Sequence, residues 1–359
     1  MVKKNGIILK NIFWKNKKVL ITGHTGFKGS WLSLWLHKKG AKVYGFALES
    51  NTETSLFEDL NLKNLISHKI GDIIDYKKLK KYVQKISPDI IFHLAAQSIV
   101  STAYKNPLDT WNVNIMGTSN LLNSLTEIKN TCAVIIVTSD KVYSQKGNKK
   151  KEFSENDRLG GYDPYSSSKV AAEIAVESWN HSFYLSKNNI RICTARAGNV
   201  VGGGDWGNNR LLPDIFRAKE KNLSITIRNP LHIRPWQHVL DCLNGYIILA
   251  EKNYNDKNYI LESFNFGPEK NEIFNVEQLL IEVNKYCNID YVIDKKNNFY
   301  ESPFLILNIE KSKSILDWKP KWDFNTTIKM TVEWYTARNQ SNNMLLKSIN
   351  QIKCFEKTL

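Results

Sequence analysis

The stretch T-G-H-T-G-F-K-G, Thr22 to Gly29, limits what this chain can fold into more than any other feature. It follows the strand-like run Lys18 to Thr22 (K-V-L-I-T) and precedes apolar residues at helical spacing from Gly29 to Lys39. Strand, glycine turn and helix in that order make the opening of a βαβ unit. Glycines allow a tight turn and a close approach of backbone to ligand, and the helix start offers unpaired N–H groups to an anion. Gly23, Thr25, Gly26, Phe27, Lys28 and Gly29 therefore read as a dinucleotide cradle.

The rest of the first 200 residues repeats the alternation. Val43 to Leu48, Ser67 to Gly71, Asp89 to Ala96, Ala133 to Thr138 and a run beginning at Arg191 read as strands. Ile73 to Ile86, Thr110 to Leu125 and Pro164 to Trp179 read as helices between them. Ala133 to Thr138 (A-V-I-I-V-T) is apolar without alternation, as a strand buried on both faces must be. The pattern predicts an α/β fold with a doubly wound parallel sheet of the Rossmann type. After Val201 the rhythm changes. A Gly/Asn-rich loop, Gly202 to Asn209, leads to short strands such as Ile225 to Arg228 and Phe264 to Gly267, and to helices His238 to Ala250 and Val276 to Tyr286. This predicts a smaller, discontinuous α/β C-terminal lobe. The expected division is 1–200 for the first domain, with return segments near 238–267, and 201–237 with 268–359 for the second. The polar tail after Arg338 is expected to fray.

Five scattered cysteines without a C-x-x-C pair, and seven histidines without a cluster, predict neither a disulfide framework nor a metal site. They fit a reducing cytoplasm. The lysine-rich start contains no apolar core of signal-peptide length; its longest run is Gly6 to Leu9. No stretch nears the ~18 apolar residues of a membrane span. The net charge of +15 raises nucleic acid as a partner. The lysines are dispersed, however, with Lys149 to Lys151 the longest run and no interleaved aromatics. An anionic small molecule suits this charge better.

Three further groups carry chemistry. An acid about 20 residues past the glycine loop would bind the ribose of NAD. Ala47 stands at that strand end and Glu49 comes slightly later, which leaves NAD against NADP open on these residues. Asp72, at the next strand end, reads either as an adenine-side ligand or as a helix N-cap. Tyr165 and Lys169 are one helical turn apart, so they share a face. An ammonium beside a phenol favours the phenolate, which can take a proton from a sugar hydroxyl. Thr138-Ser139-Asp140-Lys141-Val142-Tyr143 ends the buried strand at the sheet edge where ligands bind, and offers an acid and a base side by side.

Together these motifs resemble the extended short-chain dehydrogenase/reductase family. The glycine loop, His93-Leu94-Ala95-Ala96, Asn114-x-x-Gly117-Thr118 and Tyr165/Lys169 carry the likeness, which covers about Lys18 to Tyr335. Ile233 to Asp241 and Trp318-Lys319-Pro320 are similar to segments of its nucleotide-sugar modifiers. Asp140-Lys141, with G-H-T-G-F-K-G-S-W, H-L-A-A-Q-S and A-R-A-G-N-V-V-G-G-G-D-W, resembles the branch of 4,6-dehydratases that acts on CDP-glucose, a role in deoxysugar and surface-polysaccharide biosynthesis.

The resemblance implies NAD as cofactor, with Asp72, Ile73, Leu94, Ala95, Ala96, Asn114, Thr138, Tyr165 and Lys169 joining the loop in holding it. It implies that Tyr165, helped by Lys169, accepts the proton of the sugar 4-hydroxyl while Ser139 bonds the same oxygen. Lys141 would remove the C5 proton, where related enzymes use a glutamate, and does so only as a neutral amine. Protonated Asp140 would release the 6-hydroxyl as water. Arg234, Arg210 and Asn199 are candidates for a diphosphate, each otherwise a surface or structural residue. Gln97 is expected at the sugar. Trp206 would stack on the sugar or base, or belong to the core. The helix through Asn114 to Leu125 resembles the family's dimer-forming helix, which implies a homodimer or dimer of dimers. The rival readings are a dehydratase for another nucleotide hexose, a 4-epimerase, and an NAD-binding regulator or nucleic-acid-binding protein on the same fold.

Overall fold

The computed structural model describes residues 12–50, 52–146, 152–187, 189–227, 229–256, 262–293, 305–340 and 343–359. The run Gly6 to Leu9, the lysines at 149–151 and the last residue of the expected strand at 225–228 lie outside them. Seven parallel strands form one sheet. They are β1 (Lys18–Thr22), β2 (Lys42–Ala47), β3 (Ser67–Ile70), β4 (Ile90–His93), β5 (Cys132–Val137), β6 (Ile190–Ala197) and β7 (Ser263–Phe266). Their spatial order is β7-β6-β5-β4-β1-β2-β3. The chain winds outward from β1 in one direction, then restarts at β4 on its other side. That switch leaves a crevice at the carboxyl ends of β1 and β4, where a doubly wound sheet takes its ligands.

Alternation along each strand supplies two cores. Val19 and Ile21 of β1, with Ala133 and Ile135 of β5, pack against α1 (Phe27–Lys38) and its buried Trp31 and Trp35. Leu20, Ile91, Val134 and Ile136 face the other way. They meet Leu79 and Val83 of α2 (Tyr76–Ile86), Leu121 and Leu122 of the helix after β4, and Val176 of the helix after β5. Successive side chains of a strand leave opposite faces, so an unbroken apolar run such as C-A-V-I-I-V serves both layers. Each fully buried Val, Ile or Leu contributes about 1.5–3 kcal/mol.

The helix after β4 starts earlier than its sequence pattern suggests, at Pro107. It runs as α3 (Pro107–Trp111), a π turn over Asn112–Met116, and α4 (Gly117–Ser124). Conversely, α2 starts three residues late, because Asp75 accepts from Lys78 N at 3.0 Å and caps it. The helix after β5 is α5 (Pro164–Trp179).

Beyond β6 the chain builds the smaller lobe. Its helix Leu211–Glu220 and three two-stranded pairings sit over the crevice, Ile225–Ile227 with Tyr291–Ile293 among them. The chain returns to the sheet as α6 (Val239–Asn255) and β7, which pairs with β6. It then leaves again for α7 (Val276–Asn284) and α8 (Phe324–Asn339).

The tail does not fray. Asn343 caps α9 (Met344–Glu356), accepting from Leu346 N at 3.0 Å. The buried residues Met344, Ile352 and Phe355 lie on one face that the many polar residues between them disguise. Phe355 packs edge-on against Trp35 of α1, with centroids 5.6 Å apart, and Trp35 Nε1 donates to Glu356 Oε1 at 2.9 Å. On its other side Ser348 accepts from Trp334 Nε1 of α8 at 2.9 Å. Among the described residues no helix is long and apolar enough to cross a membrane, and no group of three or more potential metal ligands occurs.

Candidate active site

The glycine loop closes over the switch point. Gly23 has φ +76°, and a Cβ there would stand 2.7 Å from Ala95 N at the end of β4. A Cβ on Gly29 would stand 2.1 Å from Gly23 O, so α1 sits directly on its own loop. No side chain caps α1 at Gly26, which leaves its first N–H groups for an anion. Thr25 Oγ1 donates to Leu48 O at 2.8 Å and ties the loop to the end of β2. A cradle that a methyl group would fill, set against an uncapped helix start, fits a dinucleotide.

From this loop a crevice of about 700 Å3 runs across the carboxyl edge of the sheet into the second lobe. Its walls bring together Gly23, Thr25, Gly26, Phe27, Lys28, Gly29, Asp72, Ile73, Leu94, Ala95, Ala96 and Thr138 at one end. Ser139, Asp140, Lys141, Tyr165 and Lys169 stand in the middle, and Asn199, Arg210 and Arg234 line the second lobe. Glu49 also lines it. Asp72 is not the cap of α2. Its Oδ1 accepts from Ile74 N at 2.9 Å in a local turn, and Asp75 caps the helix.

Three expected ligands do not line the crevice. Gln97 is consumed by its own loop: Nε2 donates to Thr110 Oγ1 at 2.8 Å and Oε1 accepts from Ile99 N at 2.6 Å. Asn114 is buried, accepts from Gln97 N at 2.9 Å, and donates to Ser168 Oγ at 2.8 Å. It joins the π turn to the loop and to α5. Trp206 is core. Its ring meets Tyr335 edge-on at 5.3 Å and carries the Arg338 guanidinium at 4.8 Å.

Local capping explains how the reacting groups are aimed. Asp163 caps α5, accepting from Tyr165 N at 2.9 Å and Ser166 N at 3.0 Å, and Pro164 fixes the first turn. Tyr165 and Lys169 thus occupy the first two turns on the face toward the crevice. Ser139 opens a tight turn over Asp140–Val142, accepting from Lys141 N at 3.2 Å and donating to Asp140 Oδ1 at 3.0 Å.

The electrostatics are those of a dry site. Burial raises the Asp140 carboxyl above the usual range, against the pull of Lys141, Ser139, Arg234 and Lys28. Its Oδ2 is buried with no hydrogen-bond partner among the described residues. The shift favours the protonated form, the one that can donate. Burial pushes the Tyr165 phenol up to about 12, and the hydrogen bond it shares with Ser139 opposes the rise. Lys169 Nζ donates to Val137 O at 3.2 Å, and burial, reinforced by the Lys28 ammonium and resisted by Glu173, lowers its own pKa to about 8.

The structure adds residues that motif reading missed. Asp205 pairs with Arg210 at 2.8 Å and raises its pKa, while Arg210 Nη2 reaches Ser98 Oγ at 3.1 Å. Arg234 Nη2 lies 3.2 Å from His232 Nδ1, and both line the crevice. Asp205 stands in the same G-G-G-D-W run as the expected ligands, five residues before Arg210, and that spacing was the available signal. Ser98 closes the H-L-A-A-Q-S motif, which marked its backbone but not its partner, and His232 carried no signal.

A family model described as GDP-mannose 4,6 dehydratase matches residues 20–331. The chain is 41% identical over 350 residues to a CDP-glucose 4,6-dehydratase of Salmonella typhimurium, covering 95% of this chain and 96% of that protein. Among solved structures, an epimerase of Methanothermobacter thermautotrophicus superposes with a TM-score of 0.80 at 23% identity, over 92% of this chain and 96% of that one. A UDP-glucose-4-epimerase of Stenotrophomonas maltophila with bound NAD superposes with a TM-score of 0.79 at 20% identity, over 91% and 100%.

Proposed function

This chain belongs to the GDP-mannose 4,6-dehydratase family, and on that premise we propose that it is a CDP-glucose 4,6-dehydratase, a hydro-lyase that uses NAD. It converts CDP-D-glucose to CDP-4-dehydro-6-deoxy-D-glucose and water. The observation that carries the reading is Asp140-Lys141 standing with Ser139, Tyr165 and Lys169 on one wall of the crevice. An epimerase needs no group to take a C5 proton and none to release a 6-hydroxyl. The likeness to the Salmonella enzyme supports CDP-glucose in particular. Dispersed lysines and a deep crevice favour this over a nucleic-acid partner.

NAD, when bound in the glycine cradle, supplies the hydride acceptor for C4 and the donor for C6. The residues do the rest. Tyr165 Oη takes the proton of the 4-hydroxyl, and Ser139 Oγ holds that oxygen in place. The Lys169 ammonium, nearly excluded from water, favours the phenolate. The 4-ketone then acidifies C5, and Lys141 Nζ takes the C5 proton. Asp140, whose carboxyl burial raises above its usual range, gives a proton to the 6-hydroxyl, which leaves as water. Arg210 and Arg234 offer planar forks to the diphosphate, with Asn199 beside them.

In this reading, 1–200 with returns near 238–267 hold the cofactor, and 201–237 with 268–359 hold the nucleotide sugar. The chain works as a homodimer. Leu108 and Trp111 of α3, Met116 of the π turn and Ile174 of α5 are 84%, 43%, 50% and 58% exposed on elements that pack together. An apolar surface of that kind calls for a partner, and a second copy brings the matching one.

The test is incubation with NAD and, separately, CDP-glucose, dTDP-glucose, UDP-glucose and GDP-mannose, with products weighed by mass spectrometry. Loss of one water from CDP-glucose alone is expected. Loss from another nucleotide sugar overturns the substrate, and isomer formation without water loss overturns the reaction.

A further inference from the structure

We propose that Glu173 is a positioning residue: paired with Arg196, it holds the Ser139–Lys141 turn in register with Tyr165 and Lys169. The purpose of that register rests on the dehydratase reading above.

Tyr165, Lys169 and Glu173 follow one another at intervals of one helical turn on α5, so they share a face. The first two line the crevice. Glu173 is buried behind them, 6% exposed. Its Oε1 accepts from Thr138 Oγ1 at 2.6 Å and from Arg196 Nε at 2.8 Å, and Arg196 Nη2 closes the ion pair. Arg196, on β6, donates through Nη1 to Tyr143 Oη at 2.9 Å, and its guanidinium stands 5.0 Å from the centre of that ring. Tyr143 Oη in turn donates a hydrogen bond to Asn265 Oδ1 of β7 at 2.7 Å.

Thr138 and Tyr143 bracket Ser139, Asp140, Lys141 and Val142. Glu173 grips the residue before the turn and Arg196 the residue after it. One residue further back, Val137 O receives Lys169 Nζ at 3.2 Å. The two halves of the chemistry sit on separate elements, Tyr165 and Lys169 on α5 and Asp140 and Lys141 on the turn. They must serve adjacent carbons of one sugar. A misplacement of about 1 Å costs catalysis on the order of a hundredfold.

Stability alone does not account for the pair. A buried ion pair is often no better for the fold than apolar groups of equal volume. Apolar groups would fill the space but leave the Thr138 and Tyr143 hydroxyls ungoverned. Glu173 also faces Lys169 electrostatically, together with Lys28 from the glycine loop and His93 from β4, and it alone of these favours the ammonium.

The experiment compares wild type with Glu173→Gln, Tyr143→Phe and the double variant Glu173→Gln/Arg196→Met. It measures kcat and KM on CDP-glucose, melting temperature, and crystal structures of each protein. Tyr143 does not line the crevice, and its loss of one hydroxyl leaves the fold intact, so it covers the case in which Glu173→Gln fails to fold. Glu173→Gln and Tyr143→Phe are expected to lower kcat about ten- to a hundredfold with KM little changed. The double variant is expected to recover melting temperature but not kcat. In the crystal structures the Ser139–Lys141 turn moves relative to Tyr165. Recovery of kcat with melting temperature in the double variant, or full kcat with the turn unmoved in Tyr143→Phe, overturns the proposal. If wild type dehydrates none of the nucleotide hexoses, the dehydratase reading falls, and the position of the turn in the crystal structures decides the positioning role by itself.

Discussion

Lys169→Met keeps a side chain of similar length in a buried place and removes its charge. Burial and the neighbouring Lys28 bring the Lys169 pKa from 10.5 to about 8. At about 1.4 kcal/mol for each tenfold change in protonation, the ammonium costs the folded state about 3 kcal/mol near neutral pH. Losing the bond to Val137 O gives back about 1 kcal/mol of that. The variant should therefore be about 2 kcal/mol more stable than the wild type. For a chain of this length, with an unfolding entropy of about 0.75 kcal/mol/K, the melting temperature rises by about 3 °C. The pH dependence has a definite sign. The folded pKa is depressed, so the unfolded chain binds more protons between pH 8 and pH 10.5. Wild type gains stability as pH rises through that window, and the gap between the proteins closes. Calorimetry of both proteins without cofactor, from neutral pH to about pH 10, checks this. A variant that melts lower than wild type at neutral pH, or a gap that ignores pH, refutes the reasoning. Turnover should meanwhile fall, because the Tyr165 phenolate loses its neighbouring ammonium.

Three other outcomes follow from the site and the surface. Lys141→Ala should lower turnover by about 10²–10⁴ while the reduced cofactor builds up, because oxidation at C4 does not need that amine; the nicotinamide absorbance reads it directly. Gly29→Ala puts a methyl 2.1 Å from Gly23 O, and the strain of about 1–3 kcal/mol should raise the Kd for NAD about ten- to a hundredfold in a fluorescence titration. Leu108→Glu, at a side chain 84% exposed, should leave stability within about 0.5 kcal/mol and shift the sedimentation coefficient from dimer to monomer.

The sheet was legible because its signals are local. K-V-L-I-T before the glycine loop and A-V-I-I-V before Ser139 name β1 and β5 by composition, and the helical pattern from Pro164 names α5. The tail was not legible, because Met344, Ile352 and Phe355 are too widely spaced among polar residues to announce a buried face. At the site, residues were found when a motif carried them to the sheet edge. Gln97 and Asn114 sit in such motifs too, yet they bond to each other and to their surroundings instead of lining the crevice. A motif reports which backbone is near a ligand, and it does not report which side chains the backbone has claimed. Ser98 shows the reverse: its partner Arg210 is far along the chain, and only folding brings the two together.

The contact between α9 and α1 has a consequence for synthesis. Trp35 is joined 321 residues before Glu356, which with Phe355 covers it and bonds its indole N–H. The nascent chain can lay down β1 to β6 in order, but the outer side of α1 has to wait for α9. During that interval an aromatic surface on α1 is open to misassociation, so the pace of synthesis between α1 and α9 and early chaperone cover bear on how much of this enzyme reaches its working form.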